Sequence, residues 1–418
     1  MTGQTSQRTG PAPVGAGVCL GSAASRSRMV NGLEEAGDLT AGPVRDALLA
    51  LAREVLMPQA YVRRSGPDEM PPVWELLDWT RAEDREELRE LLHSGGSVPV
   101  QHAGEAILGR VPGPRSGGSM TAMSSTMGMT APLLTLLDLS PGQRFLDVGT
   151  GAGVTAAVGC FICGDAGVVT LDMDAHAGDA ARVHLADLGY RPAVVTGDGQ
   201  EGWPGGAPYE RILVSFGLPY VPPALMAQLA PGGRALMTVS ATSPSWPGLA
   251  VITKTAGGRV EAELRGVEFG HRAGAGFDQV FLPAAFRNRI ATEEGRWTQI
   301  SRLEPPQITD RGFWTALGAL RPGLVRDFAA DGLTIGAPGC GSWMRARPAG
   351  HHRWEVAVAG PRDIWDELHT VAALWRSAGS PAGYRIQFDA DGTQRATTRC
   401  NTLTWTLPTT RPTPGDPT

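Results

Sequence analysis

The run RFLDVGTGAGVTAA, from Arg144 to Ala157, constrains this chain more than any other stretch, because it joins a buried-strand pattern to a glycine turn and then to a helix. Phe145, Leu146 and Val148 suit a strand buried on both faces. Gly149, Gly151 and Gly153 remove side chains that would keep the backbone away from a ligand. The run reads as a nucleotide-cofactor loop, with Thr150 inside it. Gly151-Ala-Gly153-Val-Thr-Ala156 also fits the G-x-G-x-x-A dinucleotide fingerprint, so the glycines alone leave the cofactor open.

Three acids narrow it. Asp147 lies inside the strand end, where dinucleotide sites carry apolar residues, and is expected to orient the loop amides or face an ammonium group. VVTLDMD predicts a second strand ending at Asp172, followed by Met173, about 20 residues beyond the glycines, where a carboxylate meets ribose hydroxyls. VVTGDG predicts a third strand ending in Gly197-Asp198-Gly199 at the same sheet edge. Together these residues resemble the donor site of an S-adenosyl-L-methionine-dependent methyltransferase, with S-adenosyl-L-homocysteine as product.

Composition sets outer limits. A chain of 418 residues predicts two or three domains. A net charge of -5 and a pI near 5.9 argue against the broad basic surface of a nucleic-acid binder. Lys254 is the one lysine, so arginine carries nearly all the positive charge. Cys160 and Cys163 are the only closely spaced cysteines and read as packing on the helix after the glycine turn; no metal is assigned, and a reduced cytoplasm fits this cysteine usage. No apolar stretch reaches the ~20 residues of a membrane helix.

Along the chain, residues 1–40 are rich in Gly, Ser, Thr and Ala and are expected to be disordered. Residues 41–119 predict a helical region, with one helix from Pro43 and another over Val73 to Leu92, closing in a Gly- and Pro-rich linker from Ser94 to Ser119. Residues 120–275 alternate strands (144–148, 168–173, 193–197, 210–216, 234–239) with helices (154–163, 176–188, 222–230) after an opening helix from Thr130. This pattern predicts an α/β doubly wound, Rossmann-like sheet, which LAVITKT and VEAELRGVEF extend, and the methyltransferase resemblance implies the class I type. Seven of the eleven tryptophans lie from Trp297 onward, so residues 276–410 predict a separate α+β domain that serves substrate or partner.

The stretch from Gly197 to Ser215, with its Gly202-Trp203-Pro204 turn and Ala207-Pro208-Tyr209 entry to strand four, resembles protein L-isoaspartate O-methyltransferases, as does VPPALMAQLAPGGRALMTV. The resemblance spans about Met120 to Phe269. It implies that a serine ahead of the first core helix reaches the substrate carboxylate in a Ser-x-Pro pattern. Here the counterpart is Ser125-Thr126-Met127, without the proline and with Gly128 following, so Ser124, Ser125 and Thr126 form a candidate catalytic hydroxyl cluster or a cap for the helix. His271 and Arg272 in VEFGHRAG stand where the family places a substrate-facing segment, and surface residues at a strand end are the alternative reading. His351-His352 reads as a solvated pair.

GSWMRA, AVAGPRDIWDEL and LTWTLP look like the C-terminal extension of homologues that modify ribosomally made peptides beside ATP-grasp ligases or lanthipeptide synthetases. That resemblance implies methylation of an aspartate side chain in a modified precursor peptide, leading to succinimide or isoaspartate. Repair of isoaspartate in damaged proteins, methylation of a small-molecule carboxylate and a peptide-binding scaffold without turnover are the competing readings. A carboxylate is ionised at neutral pH, so it attacks a sulfonium methyl without a general base, and a missing catalytic histidine is expected.

Overall fold

Four residues of nearly unbroken apolar character, Phe145–Val148 (β1), form a strand buried on both faces, and everything that positions the site is built around it. The computed structural model describes residues 16–66, 69–239, 245–267, 282–327 and 332–408, with the side chains of 16–20 left aside. Val168–Asp172 (β2) and Ala193–Thr196 (β3) extend the sheet parallel to β1 on one side; Tyr209–Leu218 (β4) and Leu229–Val239 (β5) do so on the other. The order β3-β2-β1-β4-β5 reverses direction between β1 and β4, which opens a crevice at the carboxyl ends of those two strands. This is the doubly wound, Rossmann-like arrangement expected from the alternating pattern, with helices Val154–Cys163 and Ala175–Asp187 in the crossovers.

The sheet then changes character. Gly248–Lys254 (β6) adds antiparallel to β5 and Val260–Gly266 (β7) antiparallel to β6, and Gly383–Phe388 (β8), Gln394–Thr397 (β9) and Thr404–Thr406 (β10) continue the same sheet to ten strands. The β7–β8 pairing aligns Ala262 with Ile386 and Leu264 with Tyr384. The region beyond residue 276 is therefore not a domain with its own separate core. One apolar cluster runs from Leu146 and Val214 through Trp246, Phe313 and Trp314 to Trp365, Trp375 and Trp405. A five-stranded antiparallel sheet between Trp297 and Ala359 adds to this half of the molecule, as does the helix Ile364–Ser377.

The N-terminal third departs most from expectation. A helix spans Ala16–Glu35, in the segment expected to be disordered, and buries Met29, Val30 and Leu33 against Leu48, Leu88 and Leu92. The helix predicted over Val73 to Leu92 is a strand, Val73–Asp78, followed by a helix, Arg85–His93. The Gly- and Pro-rich linker contains strands Val98–His102 and Gly113–Ser116, and Val98–His102 pairs with Met120–Ser124. Among the described residues, no helix is long and apolar enough to cross a membrane.

Candidate functional site

The glycine turn is fixed from below. Gly149 N and Thr150 N both donate to the Leu171 carbonyl, at 2.8 and 3.3 Å, and Gly153 N closes the turn onto the Thr150 carbonyl at 2.7 Å. Gly151 sits at φ +49, and a Cβ there would lie 2.7 Å from the Met123 carbonyl oxygen, so the turn and the Met120–Ser124 strand touch through backbone alone. Gly153 faces away from the crevice, toward Leu56, Ala181 and Leu185, and serves close packing of the helix it opens.

Asp147 does not do what its position suggests. It is fully buried, and its carboxylate accepts hydrogen bonds from Thr155 Oγ1 and Thr170 Oγ1, both at 2.8 Å, rather than from loop amides. Since Thr170 spends its one hydroxyl hydrogen on Asp147, Thr150 donates to Thr170 across 2.7 Å, and the acid braces the turn through two threonines. Burial pushes the Asp147 carboxyl up to about 7, against the two hydroxyl hydrogen bonds. The native state therefore binds a proton that the unfolded chain releases between about pH 4 and 7, so this group's contribution to stability falls as pH rises through that window and is level above it. Asp147→Asn is expected to remove that fall, gaining on the parent at pH 8 relative to pH 4 by at most about 4 kcal/mol. Parallel pH dependences of the two proteins in denaturant titrations would overturn the assignment.

Asp172 is half-buried at the end of β2. Its Oδ2 accepts from Gly151 N at 2.9 Å and its Oδ1 from Asp174 N at 3.0 Å, and burial raises its carboxyl. A carboxylate has about four lone-pair directions, so two remain for a ribose diol. Met173 beside it is 62% exposed, an apolar surface at the strand edge suited to an adenine face. Gly197 N donates to the Asp172 carbonyl at 2.9 Å, which ties the third turn to the second. Asp198 is exposed and accepts from Gln200 N at 2.9 Å. The donor set therefore fits an adenosyl group: backbone turns, one carboxylate for a diol and an open apolar edge.

Two residues without a sequence signal join it. Ser215 follows Val214, which is paired with Val148, and Phe216 places its ring against the Cβ positions of both Gly149 and Gly199, at 3.0 and 2.8 Å. The ring thus spans the first and third turns. Only the register of β4 against β1 brings it there.

The hydroxyl cluster separates into three roles. Thr126 stands at the N-cap of helix Met127–Leu137, yet its hydroxyl donates to the Gly95 carbonyl at 3.0 Å and caps nothing. Ser124 is buried; its Oγ accepts from Arg53 Nη2 at 3.2 Å and donates to the Ser125 carbonyl at 3.4 Å. Ser125 is half-buried and makes no side-chain hydrogen bond with the described residues. It lines a cavity of about 50 Å³ with Ser124, Met129, Gly149, Thr150, Val214 and Ser215. That is room for a few water-sized groups, enough for a carboxylate entering beside the glycine turn. A larger cavity, about 320 Å³, lies against Gly151 and Ala152 and is lined by Leu56, Ile107, Arg110 and His184. We place the chemistry in the smaller one, because it alone joins the glycine turn, the uncommitted hydroxyl and Val214 and Ser215 of β4, beside the end of β1 at the reversal of strand order.

His271 and Arg272 lie outside the described residues. Cys160 and Cys163 are buried thiols on the helix after the turn, with Cys163 pushed up to about 11 chiefly by burial, as packing residues would be. Among the described residues no group of three or more His, Cys, Asp or Glu could hold a metal. The Gly202-Trp203-Pro204 turn is pinned by Gln228, whose Oε1 accepts from Trp203 N at 2.8 Å, so it shapes the approach to β4.

Comparison with known proteins gives the following. The family model for protein-L-isoaspartate(D-aspartate) O-methyltransferase matches residues 116–269. A protein-L-isoaspartate O-methyltransferase from Aeropyrum pernix is 30% identical over 247 residues, 58% of this chain and 76% of the relative. Protein-L-isoaspartate O-methyltransferase 1 from Rhodopseudomonas palustris is 32% identical over 220 residues, 52% of this chain and 71% of the relative. A solved protein-L-isoaspartate O-methyltransferase superposes with a TM-score of 0.46 at 17% identity, covering 91% of this chain and 98% of that one.

Proposed function

Because the chain belongs to the protein-L-isoaspartate O-methyltransferase family, a family of S-adenosyl-L-methionine-dependent enzymes, we propose that it methylates a carboxylate of an aspartate or isoaspartate residue in a peptide, with Ser125 at the acceptor. The observation that carries the placement is the uncommitted Ser125 hydroxyl facing a cavity shared with the glycine turn.

When bound, the donor supplies a sulfonium methyl as electrophile. The turn from Gly149 to Gly153, Asp172 and the edge at Met173, Asp198 and Gly199 would hold it. Ser125 donates its hydroxyl hydrogen to one oxygen of the acceptor carboxylate and leaves the other oxygen turned toward the methyl. Transfer would join that oxygen to the methyl carbon as the carbon–sulfur bond of the donor breaks with its electron pair left on sulfur, so no residue of this chain has to take or give a proton. Met129, Leu133, Leu213 and Val214 in the cavity wall exclude water that would solvate the nucleophile.

Within this chemistry the substrate we favour is an aspartate side chain of a modified, ribosomally made precursor peptide, whose ester then closes to a succinimide. The support is the chain beyond the matched region. Strands Gly383–Phe388, Gln394–Thr397 and Thr404–Thr406 join the sheet of the donor half, and Phe313, Trp365 and Trp375 join its core, as a dedicated substrate-holding extension would. Isoaspartate repair is the second reading, favoured by the description of the relatives. Incubation with S-adenosyl-L-methionine and matched aspartyl and isoaspartyl peptides, read by mass spectrometry, separates them. Methyl transfer to the aspartyl peptide at a rate equal to or above that of the isoaspartyl one supports the first; strong preference for isoaspartate replaces it with repair.

A further inference from the structure

Arg53 opens the short helix Arg53–Leu56 and is 1% exposed. Its guanidinium has thin company: Ser124 Oγ at 3.2 Å, Met127 Sδ at 3.1 Å, and an Nε without a hydrogen-bond partner. Among the described residues no carboxylate lies within ion-pair distance of it. Glu54, the neighbouring acid, turns toward His93 at 3.8 Å instead. Burial lowers the Arg53 pKa to about 10. A guanidinium shut away from water with a hydroxyl and a thioether for partners is strongly unfavourable unless its charge is used.

The direction of that charge is set by Ser124, which takes the Arg53 hydrogen bond and also lines the cavity beside Ser125. We propose that Arg53 is a positioning residue for the acceptor: its charge, relayed through Ser124, draws a carboxylate into the cavity without touching it. The separation matters chemically. A cation bonded directly to the nucleophilic oxygen would hold the lone pair that must attack the methyl, whereas one standing behind a hydroxyl favours the anion in the cavity and leaves that oxygen uncommitted. The arrangement also selects a carboxylate over its amide, which carries no charge to attract.

This inference rests on the reading of the Ser125 cavity as the acceptor site, and the test keeps the two apart. The wild type is first shown by mass to methylate an aspartyl or isoaspartyl peptide; absence of transfer overturns the acceptor reading itself. Three variants follow: Arg53→Met keeps an unbranched apolar stem without charge, Arg53→Gln keeps a neutral polar end without charge, and Arg53→Lys keeps the charge. R53M and R53Q are expected to raise KM for the carboxylate peptide about tenfold or more, while affinities for the matching asparaginyl peptide and for S-adenosyl-L-methionine stay within about twofold and R53K recovers most of the loss. Equal weakening of both peptides makes Arg53 a packing residue, and a selective loss of donor affinity assigns its charge to the donor; either overturns the proposal. R53Q, which leaves a neutral polar group rather than an apolar one in the buried site, keeps the comparison decisive where R53M fails to fold.

Discussion

Gly151→Ala is expected to weaken binding of S-adenosyl-L-methionine by at least about tenfold, an effect of roughly 1.4 kcal/mol or more. The added Cβ would stand 2.7 Å from the Met123 carbonyl oxygen at φ +49, and a backbone oxygen cannot swing aside as the end of a side chain can. Relief requires the turn to move, and Gly151 N then leaves Asp172 Oδ2, the carboxylate we place at the ribose. Gly142 supplies the control. It has a similar positive φ of +77 but nothing within 4 Å of its Cβ position, so alanine there meets only the left-handed strain of ~1–2 kcal/mol. Titration calorimetry should show donor affinity lost in G151A and kept in G142A; equal affinities would mean that the turn does not shape the donor site.

The second large effect belongs to Ser125→Ala. A hydrogen bond to a charged group contributes ~1.5–3 kcal/mol, so kcat/KM for the peptide should fall by roughly 10- to 100-fold. Donor affinity and thermal stability should not change, because Ser125 donates no hydrogen bond to the described residues and its removal leaves no buried partner unpaired. Ser124→Ala is a different matter, since it strips Arg53 of its hydroxyl partner and is expected to lower stability as well. Steady-state kinetics beside thermal unfolding tells them apart; an S125A enzyme with parental kcat/KM would remove Ser125 from the acceptor site.

The donor half was legible because local rules and global structure agree there. Strands buried on both faces must be apolar throughout, turns that approach a ligand need glycine, and acids at the carboxyl edge have one place to point. Asp147 is the instructive exception. Its position in the strand was visible, but whether it faces the crevice or the core depends on Thr155 and Thr170, which reach it from the following helix and the adjacent strand.

Elsewhere local pattern misled. Trp74, Leu77, Leu88 and Leu91 share a helical spacing, yet a turn divides them, and Val73–Asp78 is a strand because Gln59–Arg63 and Gly113–Ser116 flank it. Helix Ala16–Glu35 has a composition close to that of a disordered tail and is held by what Met29, Val30 and Leu33 meet. Ser124, Ser125 and Thr126 look alike in sequence, and it took the positions of Gly95 and Arg53 to leave one of the three hydroxyls uncommitted.

The sequence by itself determined the alternating parallel core and the glycine turns at its edge, since each follows from residue types at short, fixed spacings. Tertiary structure alone decided that Gly383–Phe388 joins Val260–Gly266 in one sheet, that Phe216 spans two glycine turns, and that Arg53 lies behind Ser124. The physical reason is common to all three: a pairing or a charge–hydroxyl contact between distant segments depends on where the packed core brings the backbone, and no local period records it.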